Sequence, residues 1–141
     1  MKKLLLLGLL LAGCSGKPFA AFVINQDAHS QSKPGKSYSC EPCQLQSQKR
    51  TLRLECGQKG QTYLHLEVST GLPLASLLGQ TLPTSSGEVE IPGSQLKLES
   101  GKFTLQTLSG GIARGNFSGR VQNQKPPWEV VGSFEASVST P

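Results

Sequence analysis

Aspartate is nearly absent from this chain: Asp27 is its only one. A calcium loop of the EF-hand type, which needs several acidic oxygens at fixed spacing, is therefore excluded. Histidine occurs twice, as His29 in a polar stretch and as His65 in an alternating one. Serines are plentiful, but no G-x-S-x-G segment occurs and no His–Asp partnership is evident, which argues against a serine hydrolase. Aromatic residues make up 6% of the chain and charged residues 16%. The cations are scattered as Lys49, Arg50 and Arg53, Lys97 and Lys102, Arg114 and Arg120, and Lys125, with no interleaved aromatics. That pattern excludes a nucleic-acid surface. Glu88 and Glu90 share one strand face, but nothing in the pattern builds the cleft that paired catalytic carboxylates require, so a solvated face is expected. No apolar run approaches the ~20 residues that span a bilayer as a helix. The sequence offers no reason to expect an enzyme or a cofactor.

What is present favours β structure. Gly and Pro number 16 and 9 in 141 residues, and apolar residues recur with period two in the second half. The N-terminus is different. Lys2 and Lys3 precede an apolar run of about ten residues, Leu4 to Ala12, and small residues follow up to Cys14. A basic region, a short apolar region and small residues at a cut make a secretory signal.

Leu11-Ala12-Gly13-Cys14 resembles the lipobox of bacterial lipoproteins at all four positions. The resemblance implies cleavage before Cys14, a diacylglycerol on its thiol and an acyl chain on its new amino group. It also implies a membrane partner through that anchor. Ser15 resembles the residue that, in a diderm host, sends such proteins to the periplasmic face of the outer membrane. In a Gram-positive host the same protein sits on the outer face of the cell membrane. Removing residues 1–13 takes away Lys2 and Lys3 and lowers the formal charge from +5 to +3.

The organisation expected is a signal peptide over 1–13, a lipidated tether with a possible first strand over 14–37, and a β-rich domain over 38–141. Phe19–Ile24 is the candidate first strand. Leu52, Leu54 and Cys56 share one face of a strand, Cys43 and Leu45 share the matching face of the preceding segment, and Gln48–Arg50 is the turn between them. Leu64, Leu66 and Val68 continue the alternation and complete a three-stranded meander. Leu72, Leu74, Leu77 and Leu78 lie near helical spacing between Pro73 and Pro83, so a short helix or plug is expected near 72–79. Glu88–Pro92 and Ser94–Ser100 read as two short strands about a Pro-Gly turn, and Gly101–Ser109 as a further one.

The last two strands are the clearest. Phe117, Gly119 and Val121 share a parity, as do Trp128, Val130, Gly132, Phe134, Ala136 and Val138, giving a long hairpin around Pro126-Pro127. Trp128 is expected at the core or its rim. The Gly-x-Phe recurrences resemble a pattern in small β-rich bacterial lipoprotein domains of unknown role, and the resemblance brings no activity with it. Seven to nine short strands point to an antiparallel sandwich or a strongly bent, barrel-like sheet.

Three cysteines remain once Cys14 is set aside. In an oxidising compartment a disulfide is expected, with one thiol left over. The hairpin register places Cys43 opposite Cys56, with Cys40–Cys56 as the rival pairing. Cys40-Glu41-Pro42-Cys43 has redox spacing, but residues 44–56 read as a hairpin and not as the helix a thioredoxin-like site needs. Cys40, Cys43, Cys56 and His65 form a candidate zinc set, weakened because His65 lies on the polar parity and the second half has no matching pair. Asn116-Phe117-Ser118 matches a glycosylation sequon, which carries little meaning in a bacterium.

The function expected is a lipid-anchored accessory or assembly module that binds an envelope protein partner. The alternatives are a small carrier of an apolar ligand, with Leu72–Leu78 as its lid, and a thiol or zinc protein.

Overall fold

The computed structural model describes residues 18–26 and 35–139. It is nearly all β. Ten strands run in order: β1 (Ala20–Asn25), β2 (Lys36–Cys40), β3 (Cys43–Ser47), β4 (Thr51–Gly57), β5 (Tyr63–Ser69), β6 (Thr81–Pro83), β7 (Ser86–Ile91), β8 (Ser94–Ser109), β9 (Ile112–Val121) and β10 (Glu129–Ser139). Seven of them close a barrel in the order β9-β8-β7-β5-β4-β3-β10, with β10 returning to β9. Neighbours are antiparallel except at the closing seam, where Ser137–Ser139 of β10 run parallel to Gln44–Gln46 of β3. The sequence left a sandwich and a barrel-like sheet open, and the closed barrel is the outcome. Closure removes most sheet edges from solvent.

Three strands lie outside the barrel path. β1 pairs with β10 over Glu129–Phe134, β2 pairs with β1, and β6 pairs with β8. The first strand spans Ala20–Asn25, one residue later than the Phe19–Ile24 expected. β2 has no counterpart among the expected strands, because "KSYSC" carries one large apolar residue and alternation cannot be seen in it. The short helix expected near 72–79 is a single 3₁₀ turn, Leu74–Leu77. Leu77 is buried there, while Leu72 and Leu78 are exposed. Gly79 donates its N–H to the Leu105 carbonyl, fastening the turn to β8.

The hydrophobic core runs through the barrel and under the β1–β2 hairpin. It takes Leu45, Leu52, Leu54, Leu64, Leu66 and Val68 from the meander and Phe22 from β1. It takes Phe103, Leu105, Phe117 and Phe134 from the long strands. Large and small residues face one another across β9 and β10. Phe117 opposes Gly132 and Gly115 opposes Phe134. A Cβ on Gly132 would lie 2.7 Å from Cζ of Phe117, and one on Gly115 would lie 2.9 Å from Cε1 of Phe134. Glycine at these two positions is the space the rings occupy. Phe103 stacks on Phe134 with centroids 5.2 Å apart, and Phe22 lies 6.3 Å from Phe117. Trp128 packs against the core from its rim.

Where two strands are expected over 94–109, one continuous 16-residue strand forms. Its register against β9 shifts twice, at Arg114/Gly115 and at Arg120/Val121. Gln106 and Glu99 are the extra residues. Such bulges bend a strand and increase its twist, which lets β8 leave β7 and continue along β9.

Candidate functional site

Cys14, the candidate lipidation residue, lies outside the described residues, as does His29. The described chain begins at Pro18, and its first residues are held on the barrel. The N–H of Cys43 donates to the Pro18 carbonyl at 3.1 Å, and the N–H of Glu135 donates to the Phe19 carbonyl at 2.8 Å. The chain therefore emerges between β3 and β10, and the Phe19 side chain is 43% exposed there.

The outer surface of the barrel falls into two walls. The first lies along β1, β10, β9 and β8. One register row across it reads Ala21, Ser133, Asn116, Thr104 and Thr81. The next reads Val23, Val131, Ser118 and Lys102. Together they floor an open groove of about 670 Å³. Val131 is 46% exposed within it. Thr81 and Thr104 share a hydroxyl hydrogen bond of 2.9 Å at its far edge. Arg114 donates from Nε to a Glu135 carboxylate oxygen at 2.8 Å beside Phe19. Lys102 also lines a smaller neighbouring hollow, with Arg120 and Glu129.

The second wall lies across the barrel, on β4, β5 and β7. The residues between the core positions point outward there: Arg53 and Glu55, then His65 and Glu67, then Glu88 and Glu90, while Tyr63 shares their parity but is buried. Tyr63 donates its hydroxyl to a Glu55 carboxylate oxygen at 2.7 Å. His65 lies between two carboxylates, with Nε2 at 2.9 Å from Glu67 and Nδ1 at 3.5 Å from Glu55. Arg53 Nε stands 3.4 Å from the same Glu67 oxygen. The Tyr63 hydroxyl, the His65 ring and the Arg53 guanidinium hold the Glu55 carboxyl below the usual carboxylate range, the hydroxyl having the largest effect. Burial, and then the Glu55 carboxylate, push the Tyr63 hydroxyl up, so it keeps its proton and serves as a donor. The Tyr63–Glu55 and His65–Glu67 contacts are hydrogen bonds, while Arg53 Nε is buried with no hydrogen-bond partner among the described residues and meets Glu67 as an ion pair.

Cys43 and Cys56 are register partners and form the disulfide. The rival Cys40–Cys56 pairing is not made, and Cys40 is free and buried. Burial pushes its thiol up to about 12, which leaves almost no thiolate at neutral pH. C-x-x-C leads into strand β3, so no helix dipole acts on it. The candidate zinc residues are not brought together: the disulfide takes two of them, and His65 faces outward while the three cysteines face the core. Glu88 and Glu90 lie on the polar wall, and Gly60 donates its N–H to Glu90 at 3.2 Å.

The groove is hidden in the sequence because its residues come from strands far apart in the chain. Val131 is the available signal, an apolar residue on the polar parity of the last strand. The chain matches no protein family, no curated protein and no solved structure. Among the described residues no helix is long and apolar enough to cross a membrane. The class that the fold defines is a closed seven-stranded barrel carrying an edge hairpin and an open outer groove.

Proposed function

We propose that the chain is a lipid-anchored envelope protein whose barrel acts as a non-enzymatic binding module. The observation that carries this reading is the leader ending in Leu11-Ala12-Gly13-Cys14, followed four residues later by Pro18, whose carbonyl is bonded to the barrel at Cys43. Each buried methylene of an acyl chain is worth about 0.8 kcal/mol, and one chain alone holds a protein only marginally. Two or three chains on one cysteine make a lasting anchor. The barrel then works at the periplasmic face of the outer membrane, or on the outer face of the cell membrane in a Gram-positive host. An exposed wall gives it a surface for an envelope protein partner.

The carrier reading asks for apolar volume. The volume at hand is an outer groove whose lining includes Thr81, Lys102, Thr104, Asn116 and Ser133. Leu77, the buried centre of the segment suggested as a lid, is part of the core. The binding-module reading fits these features better.

Cys14→Ser tests the anchor. The variant should incorporate no radiolabelled fatty acid and should accumulate as uncleaved precursor, whereas uptake of label by the variant would refute the reading.

A further inference from the structure

We infer that the wall formed by β1, β10, β9 and β8 is the surface that rests on the lipid headgroups of the anchoring membrane, with the β4–β5–β7 wall turned away from it. The inference rests on the proposed lipidation of Cys14 and adds an orientation to it.

Reach is the first argument. Cys14 and Pro18 are four residues apart. At about 3.3–3.6 Å per residue a fully extended chain covers no more than about 14 Å. A domain of this size is about 30 Å across. A tether pinned at Pro18 and Phe19 holds the β3–β10 seam close to the bilayer and cannot bring β7, on the opposite side of the barrel, down to it. It can bring the near side down, and Phe19 belongs to that side because its carbonyl is bonded to Glu135 on β10.

Chemistry is the second argument. The near wall exposes Phe19 and Val131, two of the four large apolar residues most open to solvent among the described residues. Apolar side chains of this kind enter the boundary between headgroups and acyl chains. Around them stand Lys102, Arg114 and Arg120 against Glu129 and Glu135, and Arg114 already neutralises Glu135. The hydroxyls and amide of Ser118, Ser133, Thr104 and Asn116 supply hydrogen-bonding groups to phosphate and glycerol oxygens. The far wall has the opposite balance. Glu55, Glu67, Glu88 and Glu90 outnumber Arg53 and Lys59 there, the Lys59 ammonium lying 5.9 Å from the centre of the Tyr63 ring. An anionic bilayer attracts the first wall and repels the second.

The test uses the full lipidated protein in vesicles of phosphatidylethanolamine and phosphatidylglycerol whose acyl chains carry bromine just below the headgroups. Val131→Trp and Glu90→Trp each add one emitter, and the signal of the native Trp128 is subtracted. Intact mass of the same samples reports the acyl chains on Cys14. The expected result is quenching at position 131 at least about threefold stronger than at position 90. Equal quenching at the two positions in a protein that carries its acyl chains overturns the docked wall and leaves the anchor standing. A mature chain without acyl chains overturns the anchor, and the orientation with it.

Discussion

Gly132→Ala is the substitution for which the structure gives the most specific cost. The added Cβ would lie 2.5 Å from the Ala21 carbonyl oxygen, 2.5 Å from Phe22 Cβ and 2.7 Å from Phe117 Cζ. The Phe117 ring can tilt away. The other two atoms are fixed by the β1–β10 ladder, where Gly132 pairs with Phe22. Overpacking of this kind costs about 1–3 kcal/mol, and two immovable neighbours place it in the upper part of that range. Unfolding entropy of about 2.1 cal/mol/K per residue, over a domain of roughly 110 residues, converts this to a fall in Tm of about 10–13 °C. The assay is thermal unfolding of detergent-solubilised protein followed by circular dichroism. Gly71→Ala is the control, because nothing lies within 4 Å of a Cβ there. That control should leave stability within about 0.5 kcal/mol, or raise it slightly. Adding Phe117→Leu to Gly132→Ala should restore less than half of the loss, since only the ring contact is relieved. A Gly132→Ala protein melting with the Gly71→Ala control would refute the packing argument, and full rescue by Phe117→Leu would refute the part assigned to the backbone.

The same structure fixes three further outcomes. Replacing Cys43 and Cys56 together by alanine opens a crosslink of sequence separation 13 and should cost about 3 kcal/mol in chemical denaturation, while an unchanged midpoint would contradict a formed disulfide. Among the described residues a thiol reagent at pH 8 should find no reactive group in the native protein and one, Cys40, after unfolding, because that thiol is buried and pushed up to about 12; rapid labelling of Cys40 in the native state would contradict its burial. The lowered pKa of Glu55 contributes stability that is present above the ordinary carboxylate range and is lost as pH falls through the lowered value, so Tyr63→Phe, which removes the largest cause, should lower stability at neutral pH by about 1 kcal/mol and flatten its decline on the acid side; an acid limb identical to that of the parent would show that the hydroxyl does not hold the carboxylate.

Much of the barrel is legible in the sequence because its strands alternate on one buried face. The Cys43–Cys56 and Leu45–Leu54 pairings come from parity and from the turn at Gln48–Arg50, and the structure has both. The hairpin of β9 and β10 is read in the same way. The continuity of β8 is not, although its sequence holds the signal. Leu96 and Leu98 sit on even positions, Phe103 and Leu105 on odd ones, and Leu108 on an even one again. Each parity change is a bulge, at Glu99 and at Gln106, and the first reads as a break between strands. β2 and β6 cannot be found, since five and three residues joined to the edge of other strands take their structure from the partner and not from their own pattern. Closure is beyond the sequence for a similar reason. It depends on a parallel contact of three residues between β3 and β10, segments separated by some ninety positions. The polar wall is half visible. Tyr63, His65 and Glu67 fall on a common face, but their links to Arg53 and Glu55 depend on register.

The most direct measurement is mass spectrometry of the N-terminal peptide of the protein extracted from membranes. The account predicts a peptide that begins at Cys14 and carries a thioether-linked diacylglycerol. An unmodified peptide, or one that begins at any other residue, would contradict it.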